Sequence, residues 1–93
     1  MKRVLLKSTS FIRTAKRIVK KNPDHAQNIK LTLKLLEEDA FNPILRTHKL
    51  KGTLKGSWAC SAAYDLRIIF EFVRHHDKNA ILLEAIGTHN EVY

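Results

Sequence analysis

The chain changes its apolar rhythm once, and that change limits the fold more than any other feature. Up to Glu38 apolar side chains recur every three or four residues, whereas from Ser57 onward they gather in short β-branched and aromatic runs. Phe11, Ile12, Ala15, Ile18 and Val19 fall at i, i+1, i+4, i+7 and i+8, which predicts a helix over 11–21 with one apolar stripe. Arg13, Lys16, Arg17, Lys20 and Lys21 fill its other face. Asn22-Pro23-Asp24 then breaks one helix and starts another. Asn22 is placed as N-cap, Pro23 at the first helical position, and Asp24 near the positive end of the helix dipole. The second helix is predicted from Pro23 to Glu38, burying Ala26, Ile29, Leu33 and Leu36, with Leu31 and Leu35 widening the stripe. Glu37, Glu38 and Asp39 crowd the end where the dipole disfavours them and help to stop it.

Before this helical hairpin, residues 3–7 (RVLLK) form a β-prone run, and Ser8, Thr9 or Ser10 caps the helix that follows. Residues 40–56 hold a proline, two glycines and no sustained period, and read as a loop with room for a short turn. Strands are predicted over 57–63, 66–73 and 80–86, with turns at Tyr64-Asp65 and over 75–79. The order is β-α-α-β-β-β, an α+β class. An antiparallel meander is covered on one face by the helices, in a single domain spanning 1–93.

Charge is uneven along the chain. Residues 1–56 carry 14 Lys+Arg against 4 Asp+Glu, and residues 57–93 carry 3 against 5. A basic field of that size attracts phosphate backbones or an acidic protein. Cys60 is the one cysteine, so no internal disulfide forms and no His/Cys cluster has zinc spacing. This suits a reducing cytoplasm. The apolar run Val4 to Leu6 is too short for a signal-peptide core, and no window reaches bilayer length. A cytoplasmic protein without a membrane partner is expected.

Two stretches carry the chemistry: His48-Lys49-Leu50-Lys51-Gly52, and the ending Gly87-Thr88-His89-Asn90-Glu91-Val92-Tyr93. By residue type alone His48 is a solvated loop histidine, Arg67 is a strand arginine that pairs with Asp65 or Glu71, and Tyr93 is a frayed terminus. His75 and His76 face solvent. Trp58 and Phe70 read as core, and Cys60 as a small buried hydrophobe.

Taken with the basic hairpin and the strand pair around Asp65-Leu66-Arg67-Ile68-Ile69-Phe70, those two stretches resemble bacterial toxins of the RelE/ParE superfamily, nearest the YafQ-like and RelE/StbE branch. The resemblance spans nearly the whole chain. It implies a small RelE-like fold and the toxin of a type II toxin-antitoxin pair, an endoribonuclease cutting mRNA on the 70S ribosome. It further implies use of neither a metal nor a small-molecule cofactor, and silencing by a cognate antitoxin, here expected to be acidic or amphipathic. By position His48 matches the histidine of the YafQ-type loop and His89 the histidine near the C-terminus. Asp65 matches an acidic residue beside the cleft, Arg67 an arginine used by some relatives, and Tyr93 the terminal aromatic. YafQ-like enzymes often carry a histidine after the cysteine of the first meander strand and a tryptophan after the aspartate, where this chain has Ser61 and Leu66. A serine does not replace an imidazole in proton transfer near neutral pH, so the division of acid and base roles stays open.

Cleavage of RNA without a metal needs a base for the 2′-hydroxyl, cations for the phosphorane-like transition state, and an acid for the departing 5′ oxygen. His48 and His89 are the candidates for acid and base, Arg67 for the phosphate, and Arg46, Lys49, Lys51 and Lys55 for RNA binding. Asp65 orients a histidine, and Tyr93 stacks on a base or donates to the phosphate. The two imidazoles are expected across one cationic groove with a guanidinium between them. Two alternatives stand beside this reading: a ParE-like toxin that inhibits DNA gyrase without cutting, and a basic RNA-binding module.

Overall fold

The computed structural model describes residues 2–52 and 56–93. In order, the described residues form β1 Val4–Lys7, α1 Thr9–Lys21, α2 Asp24–Glu38, β2 His48–Lys49, β3 Trp58–Ala63, β4 Leu66–His75, β5 Lys78–Gly87 and α3 His89–Val92. A 3-10 turn, Pro43–Leu45, lies between α2 and β2. The sheet runs β1-β5-β4-β3-β2. Strands β2 to β5 are antiparallel, and β1 joins β5 in parallel, Val4 opposite Ala80 through Lys7 opposite Leu83. The α+β architecture of strand, helical hairpin and meander is therefore present, with two elements that the sequence did not announce, β2 and α3.

The first helix begins where its cap allows. The Ser8 hydroxyl accepts the Phe11 N–H at 3.0 Å, and Lys20 and Lys21 close the last turn, where the dipole favours cations. Asn22 is extended and its Oδ1 accepts the Asp24 N–H at 3.3 Å, so it caps α2 as expected, while Pro23 already has helical dihedrals. Three residues predicted to be buried are not: Ile12, Ala26 and Leu31 are exposed. Ala26 lies near the exposed tip of the hairpin, and Ile12 and Leu31 lie off the seam that meets the sheet. Thr32 occupies that seam instead, and burial is tolerated because its hydroxyl donates to the Asn28 carbonyl at 2.7 Å.

Residues 40–50 are more ordered than a loop. Asn42 Oδ1 accepts the Ile44 N–H at 3.0 Å to start the 3-10 turn, and Leu45 anchors it in the core. The predicted five-residue turn over 75–79 is a two-residue hairpin: His75 pairs with Lys78, and His76 and Asp77 take φ of 50° and 62°. Arg74 holds this left-handed pair by donating to the Asp77 carbonyl at 2.8 Å and to Asn79 Oδ1 at 3.3 Å. Phe11, Leu36, Leu45, Cys60, Ile68, Phe70, Ile81 and Leu83 form the fully buried centre between the helices and one face of the sheet. The face opposite the hairpin is not bare, since Ala59, Ile69 and Gly87 on it are also buried.

Candidate functional site

Strand alternation decides what the face opposite the hairpin carries. Cys60, Ile68 and Ile86 belong to the covered face, so their neighbours in sequence point the other way. Ser61, Arg67 and Gly87 are register partners in one row of that face, and His48, Ala59, Ile69 and Ala85 form the next. His48 and Arg67 therefore share a face. Lys49, opposite Trp58, falls on the other side of β2. A bulge between Ile69 and Phe70 leaves Glu84 without a register partner, and its carboxylate reaches Ser57, whose hydroxyl donates to Oε1 at 2.9 Å. With the Leu50 N–H bonded to the Ser57 carbonyl at 2.9 Å, this contact ties Ser57 to both Leu50 and β5.

The C-terminal segment folds back over the end of β5. Thr88 Oγ1 accepts the Glu91 N–H at 3.3 Å and Glu91 Oε1 accepts the Thr88 N–H at 2.8 Å, a capping box that starts α3. Gly87 makes room for it: a Cβ there would stand 3.1 Å from Glu91 Cβ and 3.2 Å from Val92 Cγ1. Gly87→Ala is expected to destabilise the protein by about 1–3 kcal/mol through this overpacking. The readout is the urea midpoint, and an unchanged midpoint would mean that α3 does not lie against the strand in solution.

This fold-back puts Tyr93 against both candidate histidines. Its ring meets His89 edge-on at 4.3 Å between centroids and 89° between planes, and its hydroxyl lies 3.4 Å from His48 Nε2. His48 Nδ1 is 2.9 Å from the Arg46 carbonyl, held by a left-handed Arg46 with φ of 52°. A carbonyl only accepts, so Nδ1 carries a proton and donates to it, which turns Nε2 toward the phenol oxygen. Burial pushes the Tyr93 phenol above its ordinary value, against an opposing pull from Arg67, so the hydroxyl remains a donor at neutral pH.

Arg67 is held through one nitrogen of its guanidinium and is close enough to Tyr93 to act on its phenol. Its Nη1 donates to Ser61 Oγ at 3.1 Å, to the Ala63 carbonyl at 3.2 Å and to the Leu66 carbonyl at 3.4 Å, which fixes the guanidinium beside the β3–β4 turn. Asp65, in that turn with φ of 54°, contacts a histidine through the histidine's backbone. Its Oδ1 accepts the backbone N–H of His89 at 3.2 Å and does not hold the imidazole. Arg46 and Lys51 are exposed, and Lys55 lies outside the described residues. Leu66 is buried in the core. Cys60 is buried too, and its thiol is pushed up to about 12, which removes it as a nucleophile at neutral pH. Among the described residues, no three His, Cys, Asp or Glu side chains are grouped to hold a metal ion.

Behind α3 an open cleft of about 810 Å³ has Arg17, Lys21 and His25 among its lining residues together with Asp65 and Glu91. The Thr88 backbone and side-chain hydrogen bonds, with a smaller contribution from Arg17, hold the Glu91 carboxyl below its ordinary value. A lowered folded value stabilises the ionised form, so the contribution is present above the unfolded value and lost as pH falls through the folded one. Amide protection in α3 is expected to weaken as pH drops below the usual carboxylate range, and to stay flat in Glu91→Gln. Hydrogen exchange across that range checks it.

Thr88, Glu91, Gly87 and Glu84 were not anticipated as contributors. The Thr-x-x-Glu spacing of Thr88 and Glu91 is a helix-start signal legible in the sequence, whereas Glu84 acquires its place from a bulge that no local pattern marks.

A model of the family described as bacterial toxin of type II toxin-antitoxin system, YafQ, matches residues 3–93. Among curated proteins no sequence matches. Several solved structures share the fold at low identity. YafQ from E. coli strain BL21(DE3) is 17% identical with a TM-score of 0.78, covering 98% of each chain. The E. coli DinJ-YafQ toxin-antitoxin complex matches at 18% identity and a TM-score of 0.76, over 100% of this chain and 99% of the other. A YoeB/ParE toxin from Agrobacterium tumefaciens matches at 13% and 0.77, over 92% and 98%.

Proposed function

Because the chain belongs to the YafQ family of toxins from bacterial type II toxin-antitoxin systems, we propose that it is an endoribonuclease that cuts mRNA on the ribosome by acid-base chemistry and so stops translation in the cytoplasm. The observation that carries this reading is the contact of Tyr93 with both histidines, with His48 Nδ1 bonded to the Arg46 carbonyl and its Nε2 turned toward the phenol. His48 Nε2 takes the proton of the 2′-hydroxyl, the 2′ oxygen attacks phosphorus, and the bond from phosphorus to the 5′ oxygen breaks. His89, as imidazolium, protonates that oxygen, leaving a 2′,3′-cyclic phosphate and a 5′-hydroxyl. Arg67 supplies positive charge to the transition state from its fixed position, and Tyr93 donates to the phosphate or stacks on a base once RNA displaces it from His48. Arg46, Lys51 and Lys55 attract the backbone.

E. coli YafQ assembles with DinJ, and a cognate antitoxin is the corresponding partner here. A net charge of +8 favours an acidic one. Purified protein added to a reconstituted translation reaction is expected to fragment the message only when ribosomes are present. An intact message together with inhibited gyrase supercoiling would replace this reading with the ParE-like one.

A further inference from the structure

The acidic residue at the β3–β4 turn does something other than touch an imidazole. Asp65 Oδ1 accepts the N–H of His89, the first residue of α3. That helix is four residues long and carries His89 at one end, with Tyr93 directly after it. A helix so short has little stability of its own, because nucleation is unfavourable and few hydrogen bonds follow it. Its position therefore depends on what clamps its first turn. Thr88 and Glu91 satisfy each other's N–H groups, which builds the turn and does not attach it to the sheet. Asp65 provides a side-chain bond from the α3 start to the meander, across 24 positions of sequence. Beneath it, Gly87 sets the contact distance.

We propose that Asp65 is a positioning residue, acting through the backbone amide of His89 to set α3 on the sheet, so that His89 and Tyr93 together reach the RNA beside His48. The proposal rests on the nuclease reading for its consequence in catalysis, and stands apart from it for its consequence in structure. It assigns Asp65 no proton to carry and no charge to supply. The left-handed backbone at Asp65 fits this role, since aspartate, asparagine and glycine tolerate that conformation and most other residues are strained in it.

Two substitutions separate the possibilities without adding strain at φ of 54°. Asp65→Asn keeps an oxygen acceptor and removes the charge; Asp65→Gly removes the acceptor and keeps the backbone free to turn. Asp65→Gly is expected to expose the His89 amide, with hydrogen-exchange protection in α3 falling about tenfold, and to lower kcat for message cleavage roughly 10²-fold with KM little changed. Asp65→Asn is expected to keep protection and kcat within about threefold of wild type, with the pH profile of cleavage unmoved. If Asp65→Asn is as inactive as Asp65→Gly, or shifts the pH profile, the carboxylate takes part in the chemistry and the proposal is overturned. If Asp65→Gly leaves His89 protection unchanged, the latch does not exist, and that result stands even if the wild-type protein cuts nothing.

Discussion

Replacing His89 by asparagine is expected to lower cleavage of translated message by about 10²- to 10⁴-fold while leaving the fold intact, because it removes a proton donor and little else. His89 is exposed, and its N–H bond to Asp65 belongs to the backbone and survives the change. The imidazole meets Tyr93 by its ring edge, a contact whose loss is small beside that of an acid in the transition state. A circular dichroism melt checks the fold and primer extension on the message checks the rate. A variant that melts normally and cuts at wild-type rate would remove His89 from the chemistry. His48→Asn is expected to act in the same direction, since an amide in place of the imidazole cannot take up a proton.

Phe70→Ala is expected to cost about 3–5 kcal/mol of stability. Phe70 is fully buried, packs edge-on against Phe72 at 5.4 Å, and follows directly on the β4 side of the bulge that frees Glu84. The cavity would lie under the β3–β4–β5 register on which the face bearing the site depends. A domain of this size has about 5–15 kcal/mol in all, so the variant approaches the unfolded state at ambient temperature. Urea unfolding by tryptophan fluorescence measures this directly, since Trp58 lies opposite Phe70 in the register. A loss below about 1 kcal/mol would mean that the sheet repacks freely and that the core does not fix the site.

Long periodic segments were the part of this fold that a reader of the sequence could see. The stripe from Phe11 to Val19 and the run from Leu66 onward each repeat often enough for period to override the choice of any single residue, and both elements are where that pattern puts them. Short elements lack that repetition, and only the Thr88-x-x-Glu91 cap marks the start of one of them. β2 has two residues and α3 four, so neither has a period, and each exists because a partner element holds it. At the site, His48, His89, Arg67, Asp65 and Tyr93 were named from sequence, but their contacts were not. The bonds of Arg67 to Ser61 and two carbonyls, and the place of Tyr93 against both histidines, follow from the β3–β4 turn and the capping box together. No local pattern states where two distant turns meet.

The chemistry at the ends of the RNA fragments tests the central claim most directly. With wild-type protein and actively translating ribosomes, proton removal by His48 and donation by His89 predict 5′ fragments ending in a 2′,3′-cyclic phosphate and 3′ fragments beginning with a 5′-hydroxyl. Fragments that begin with a 5′-phosphate, or translation that stops with every message whole, would contradict it.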